Sequence, residues 1–89
     1  MTIVQLKYAI AVAEYKNFTI AAEKCFVTQP TLSMQIQKLE DELDVTIFDR
    51  GKKPIALTKI GEKIIKQSKK IVSESEKMHD VVDKDRGII

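Results

Sequence analysis

The 89-residue sequence holds one cysteine, one histidine and no tryptophan. A single cysteine closes no internal disulfide, and one histidine beside it makes no side-chain set for a structural zinc site. No cofactor or metal is expected. With three glycines and two prolines, long stretches run without a breaker. No apolar run nears the roughly 20 residues that span a bilayer. Lys7 and Glu14 flank only a short apolar stretch at the start, unlike a signal peptide. These absences point to the cytoplasm and away from a membrane. A chain of this size closes one modest core and has no room for a Rossmann sheet, a TIM barrel or a large pocket. Charge excludes little: 15 basic and 13 acidic residues leave a net +2. For a nucleic-acid binder, the distribution of charge matters more than its sum.

What is present is mostly helical pattern. Residues 2–15 place Ile3, Leu6, Ala9, Ile10 and Ala13 at helical spacing, the expected core face. Val4, Tyr8, Ala11 and Tyr15 form a second apolar line, which calls for a second partner, either a later segment or another chain. Asn17-Phe18-Thr19 breaks this helix. Thr19 is expected to cap a short second helix, Ile20 to Phe26, and Ala21-Ala22 keeps it thin enough for a close crossing. Val27-Thr28-Gln29 is the turn. Thr28 can cap a third helix with Pro30 in its first turn, where the missing N–H costs little. That helix runs to about Leu43, with Leu32, Ile36, Leu39 and Leu43 towards the core. Val45–Asp49 and Ile55–Leu57 read as two strands, joined by a loop with a basic tip. Thr58 then caps a long helix to about Arg86, with Glu62 suitably placed in its first turn. Along it Gly61, Ile64, Ser68, Ile71, Ser75, Met78 and Val82 recur at spacings of three and four, thickened by Ile65 and Val72. This heptad-like stripe is longer than the rest of the chain can cover, so a second copy is the expected partner. Packing within one chain is the alternative.

Two short helices around a tight turn, followed by a basic hairpin, form the layout of a winged helix-turn-helix. The fold class is therefore mainly α: three helices and a two-stranded wing over 1–58, then a dimerising linker helix over 59–89. The third helix would read DNA. Its outer surface carries Thr28, Gln29, Pro30, Thr31, Ser33, Met34, Gln35, Gln37 and Lys38, with no acid, whereas Glu40, Asp41, Glu42 and Asp44 follow. Only the N-terminal half can approach a polyanion without repulsion, and its free N–H groups favour phosphate. Amides and hydroxyls suit base edges, while Pro30 and Met34 suit a thymine methyl. Arg50, Lys52 and Lys53 on the wing would meet phosphates or the minor groove. Tyr8, Ile64, Ser68, Ile71, Ser75, Met78 and Val82 are the candidate dimerisation residues.

Ala21-Ala22, Val27-Thr28-Gln29-Pro30-Thr31-Leu32-Ser33, Gln35-Ile36-Gln37-Lys38-Leu39-Glu40, Leu43, Phe48-Asp49-Arg50 and Leu57-Thr58-Lys59-Ile60-Gly61 together resemble the N-terminal domain of a LysR-type transcriptional regulator. The resemblance covers nearly the whole chain. It implies a bacterial regulator that binds an inverted-repeat operator in double-stranded DNA as a homodimer, with a tetramer open to the full-length protein. It also implies two linker helices paired antiparallel and a C-terminal effector domain beyond Gly87-Ile88-Ile89. Gln29, Pro30 and Ser33 match the family's base-reading positions. Met34 departs from the arginine many members carry there, so their site sequence does not transfer. Within the family, Cys25 to Ser33 and Leu39 to Leu43 look most like the hydrogen-peroxide-sensing branch, whose sensing cysteines lie in the absent domain.

Plainer readings stand beside these. Cys25 is expected to be a small buried residue, since a redox switch needs an exposed electropositive setting. His79 is a surface or seam residue. Glu40, Asp41, Glu42 and Asp44 form a solvated helix end, and most of the lysines between 59 and 70 face water. The rival function is a helical adaptor that uses 28–38 to hold a protein. An enzyme is the weakest reading, for want of a pocket, nucleophile or metal partner.

Overall fold

The structure, a computed structural model, describes residues 1–87. The elements follow in the order α1 (Ile3–Tyr15), α2 (Phe18–Lys24), α3 (Gln29–Leu43), β1 (Phe48–Asp49), β2 (Ala56–Leu57) and α4 (Lys59–Asp85). The expected start of a hinge at Ile88 and Ile89 lies outside the described residues.

Each helix begins on a side-chain cap. Thr2 Oγ1 accepts the Gln5 N–H at 3.1 Å while Gln5 Oε1 accepts the Thr2 N–H at 3.1 Å, a reciprocal capping box. α2 starts two residues earlier than the sequence suggests. Its cap is Asn17, whose Oδ1 accepts the Ile20 N–H at 2.9 Å, and not Thr19. It ends at Lys24, so Phe26 lies outside it, at φ 58° and 94 % exposed. Thr28 and Thr58 cap α3 and α4 as expected. Lys16 and Asp44 end α1 and α3 in the left-handed conformation, each at φ 54°.

α1 is the hub, packed against all three other helices. Its buried residues are Gln5, Leu6, Ala9, Ala11 and Val12. The expected face is therefore only partly right: Ile3 is exposed, and Ile10 and Ala13 are half-buried. A helix gripped on several sides has no single apolar stripe to recognise. Ala21 and Ala22 are buried where α2 crosses α1 and α3. Leu32, Ile36 and Leu39 of α3 are fully buried with Ile47 and Phe48, but Leu43 is exposed and Glu40 takes a buried place instead.

The hairpin is shorter than expected. Phe48 pairs with Leu57 and Asp49 with Ala56, antiparallel. The flanking amides are used elsewhere. Val45 N–H returns to the Glu40 carbonyl at 3.1 Å, and Ile47 N–H goes to the Glu40 carboxylate at 2.7 Å. Ile55 N–H goes to the Lys16 carbonyl at 3.2 Å. Those bonds tie the wing to α3 and α1, and remove residues from the ladder.

α4 is seated at its first turn. Thr58 N–H donates to the Ile47 carbonyl at 3.0 Å, and Thr58 Oγ1 donates to Thr46 O at 2.6 Å. A Cβ on Gly61 would overlap the Ile47 carbonyl oxygen, so this turn needs glycine to approach the strand. Ile65 and Ser68 are buried, and Ile64, Ile71 and Val72 pack partly against the core. The core thus runs past residue 58 into the first half of α4. Beyond Ser75 the helix stands away from the rest. At 27 residues it is about 40 Å long, which accounts for the 50 Å long axis of the molecule.

Candidate nucleic-acid interface

The turn between α2 and α3 is closed by backbone bonds, Phe26 N–H to Glu23 O at 3.1 Å and Val27 N–H to Ala22 O at 3.0 Å. They aim the first turn of α3 outward. Gln29, Pro30, Thr31, Met34, Gln37 and Lys38 are exposed, and Ser33 is half-buried at the margin. Two side-chain bonds order this surface. Gln29 Nε2 donates to Ser33 Oγ at 2.7 Å, and Thr28 Oγ1 donates to Thr31 Oγ1 at 2.8 Å. Gln37 Nε2 donates to Asp41 Oδ1 at 3.0 Å. Gln35 is not with them. It is half-buried, and its Oε1 accepts from Gln5 Nε2 at 3.1 Å, holding α3 to α1.

Behind this surface the reader is fixed to the wing. Glu40, read from the sequence as part of a solvated acidic end, is 4 % exposed. One carboxylate oxygen accepts from the amides of Ile47 and Phe48 at 2.7 and 3.4 Å, and the other accepts from Arg50 Nη2 at 3.0 Å. The Arg50 guanidinium also lies 5.0 Å from the centroid of the Phe18 ring, within cation–π range. Arg50 is therefore engaged with protein on two sides. Asp41, Glu42 and Asp44 are exposed as expected. A run of four acids carries no periodic signal that one of them turns inward. The opposite charge at Arg50, beyond a short apolar strand, was the available clue. Lys52 and Lys53 are exposed at the wing tip, whose turn is held by Gly51 N–H donating to Asp49 Oδ1 at 3.0 Å.

The candidate dimerisation residues divide into two groups. Ser68 is already buried within one chain, its hydroxyl donating to Ile64 O at 2.7 Å, so it is not free to meet a partner. Tyr8, Ile64 and Ile71 are half-buried against the core. Ser75 is half-buried, its Oγ donating to Val72 O at 2.7 Å. Met78 and Val82 are exposed, and Val81, absent from the expected stripe, is exposed beside them.

Cys25 is half-buried, and burial pushes its thiol above the ordinary range. That disfavours the reactive thiolate. His79 is exposed. Among the described residues no group of three His, Cys, Asp or Glu side chains could hold a metal, and no helix is long and apolar enough to cross a membrane.

A close-packed helix pair with its second helix turned outward, locked to a hairpin that flanks it, defines a winged helix-turn-helix protein. Residues 3–62 match the family described as bacterial regulatory helix-turn-helix protein, lysR family, and the chain belongs to it. Over 74 residues it is 42% identical to the hydrogen peroxide-inducible genes activator of Haemophilus influenzae, covering 83% of this chain and 25% of that protein. Over 77 residues it is 44% identical to the HTH-type transcriptional regulator BsdA of Bacillus subtilis, covering 85% of this chain and 27% of that protein. The chain thus spans about a quarter of the curated relatives it matches. Identity at one level to two differently named regulators marks the family and not the effector. The fold is similar to that in the BenM_DBD/catB site 1 DNA complex, with a TM-score of 0.93, 34% identity, and coverage of 98% of this chain and 94% of that one.

Proposed function

We propose that this chain is the sequence-specific, double-stranded-DNA-binding domain of a dimeric bacterial transcription regulator of the lysR family, acting in the cytoplasm. Its activity is binding, not catalysis, in keeping with relatives named as regulators. The observation that carries the reading is the first three turns of α3. They present Gln29, Pro30, Thr31, Met34 and Lys38 to solvent with no acid among them, on a fold similar to a DNA complex. The N-terminal half of α3 enters the major groove, and Thr28 and the free amides at its start meet a phosphate. Ser33 borders this surface. Gln35 acts from behind it, through Gln5. Lys52 and Lys53 reach the flanking backbone or minor groove, while Arg50 holds the wing that carries them. Residues 1–58 form the reading unit and α4 the spacer. Its uncovered length around Met78, Val81 and Val82, continuous with Ser75, Ile71, Ile64 and Tyr8, is the surface for a second copy, so that the paired helices set the distance between half-sites. Activation or repression and effector choice belong to the rest of the full-length protein.

The test is a titration of the chain against an inverted-repeat duplex of the family's kind and a scrambled duplex, at two salt concentrations. Preference for the repeat that persists at the higher salt is expected, at two chains per duplex. Equal binding to both that disappears with salt would reduce the chain to a basic surface on a helical fold.

A further inference from the structure

The charges of α4 are sorted by sign along its length. Lys59 to Lys70 carries five lysines and one acid, Glu62, a net +4. Glu74 to Asp85 carries five acids and two lysines, a net −3. All of these charged side chains are exposed except the half-buried Asp83. Among the described residues, the only ion pair within the helix joins Lys77 to Glu74, at 3.0 Å. Resting on the second-copy reading above, we infer that this polarity is a partner code. It confines α4 to an antiparallel helix of the same polarity, a second copy of this chain, in the one register that sets position 64 opposite position 82. Helices that lack the polarity are turned away.

Within one chain the arrangement is unfavourable. Lys59 at the start of α4, and Asp83 and Asp85 in its last turn, oppose the helix dipole, which only Glu62 and Lys84 follow. Lys59 with Lys63, Lys66 with Lys70, and Glu76 with Asp80 set like charges four residues apart, which destabilises a lone helix. A sequence that breaks local rules in this way gains elsewhere. A polyanion would use the basic half and be repelled by the acidic one. A parallel copy would set like halves side by side. An antiparallel copy sets each basic half beside an acidic half. Side chains on the flanks of such a pair act over about a Debye length, ~8–10 Å, so the sorting works by halves and not by single bridges. The apolar stripe fits the same arrangement. Positions 64, 68, 71, 75, 78 and 82 step by 4, 3, 4, 3 and 4 and so read alike from either end. Two-fold pairing about Ser73 sets 64 opposite 82 and 71 opposite 75. It lays the exposed Met78 and Val82 of one copy over an apolar groove of the other, where Leu6 and Leu43 flank Ile64 and Ile71. A slip of one heptad would leave an end of each stripe without a counterpart.

The experiment swaps the code. Lys63→Glu, Lys66→Glu and Lys70→Glu together make both halves of α4 acidic. Glu76→Lys, Asp80→Lys and Asp85→Lys together make both halves basic. All six residues are exposed. By sedimentation at low salt the 89-residue chain should be a dimer, and each triple variant alone should raise the dimer dissociation constant about tenfold or more. An equimolar mixture of the two variants should restore a dimer, with one chain of each by native mass spectrometry. That restoration also shows that both variants are folded. Neither variant should pair with the parent as well as with the other, and added salt should weaken the parent dimer. The register is read by oxidation in a Cys25→Ala background. Chains carrying Ile64→Cys and Val82→Cys should cross-link when mixed, whereas Ile64→Cys with Ser75→Cys should not. Variants that dimerise as the parent does, or a mixture in statistical proportions, would remove the charge code. Cross-linking of 64 to 75 in place of 82 would overturn the register. A parent that stays monomeric at every concentration would instead sink the second-copy reading on which the inference rests.

Discussion

Glu40 shows what one inward-facing charge does. Its carboxylate serves two backbone amides and one guanidinium, and is 4 % exposed. Replacing it with alanine leaves the amides of Ile47 and Phe48 without acceptors, so Glu40→Ala should cost about 2–4 kcal/mol in a urea melt. Arg50→Ala should cost less, about 1 kcal/mol, because that side chain is 40 % exposed and loses one ion pair and one ring contact. Equal losses from the two variants would contradict a carboxylate that serves the backbone first. Cys25 gives a second test. With its thiol pushed above the ordinary range by burial, the folded state favours the protonated form. Its contribution to stability is full below the ordinary thiol pKa and is lost as pH rises through the raised folded value. Alkylation by iodoacetamide near pH 8 should be slower in the folded chain than in urea. Equal rates would show an open thiol. The role of Glu40 was hidden in the sequence, where it is one of a run of acids, whereas Cys25, expected to be buried, is half-buried.

At the scale of elements, helix starts were legible where a cap stood alone and ambiguous where two stood together. Thr58 has no competitor within a turn, and Pro30 in the first turn singles out Thr28 over Thr31; both cap as expected. Asn17 and Thr19 compete two residues apart, and Asn17 takes the start of α2 because its carboxamide reaches the Ile20 amide. Thr28→Ala should lower stability by about 1 kcal/mol, read from the same melts. Gly61 tests the contact between α4 and the strand. In an open helix, glycine to alanine gains about 1 kcal/mol of helix propensity. Here the new methyl meets the Ile47 carbonyl, so Gly61→Ala should destabilise by about 1–3 kcal/mol. A stabilised variant would mean that α4 does not seat so closely. The strands were over-read for a related reason: the amides of Ile47 and Ile55 look free for a ladder in sequence, but Glu40 and Lys16 claim them.

For the whole molecule, the question is which part of α4 is covered from within. Its first half joins the core, whereas Met78, Val81 and Val82 stay exposed. Met78→Lys with Val82→Lys should therefore dissociate the dimer in sedimentation while leaving the monomer's melt nearly unchanged. Ile71→Asp should harm both, since Ile71 also packs against the core. A dimer that survives the double lysine variant would move the interface elsewhere. The wing is tested against DNA. Lys52→Ala with Lys53→Ala should weaken binding to all sequences alike and reduce the salt slope by about 2. Arg50→Ala should leave that slope near the parent's, because its charge is turned to Glu40. An unchanged slope in the double lysine variant would take the wing tip off the DNA.

The sequence by itself determined the order of helices, the turn before Thr28, the hairpin and the long terminal helix, because caps, breakers and apolar spacing are local properties of the chain. It also showed where acids are absent on α3, since charge along one helix face needs only the helical period. Tertiary structure decided which side chains of that face are free. Gln35 is drawn back to Gln5 and Arg50 to Glu40, and Gln29 is paired with Ser33. It also divided the stripe of α4 into a covered and an uncovered half. These outcomes depend on which groups meet across elements distant in the chain, or on the rotamer a side chain adopts, and helical spacing specifies neither.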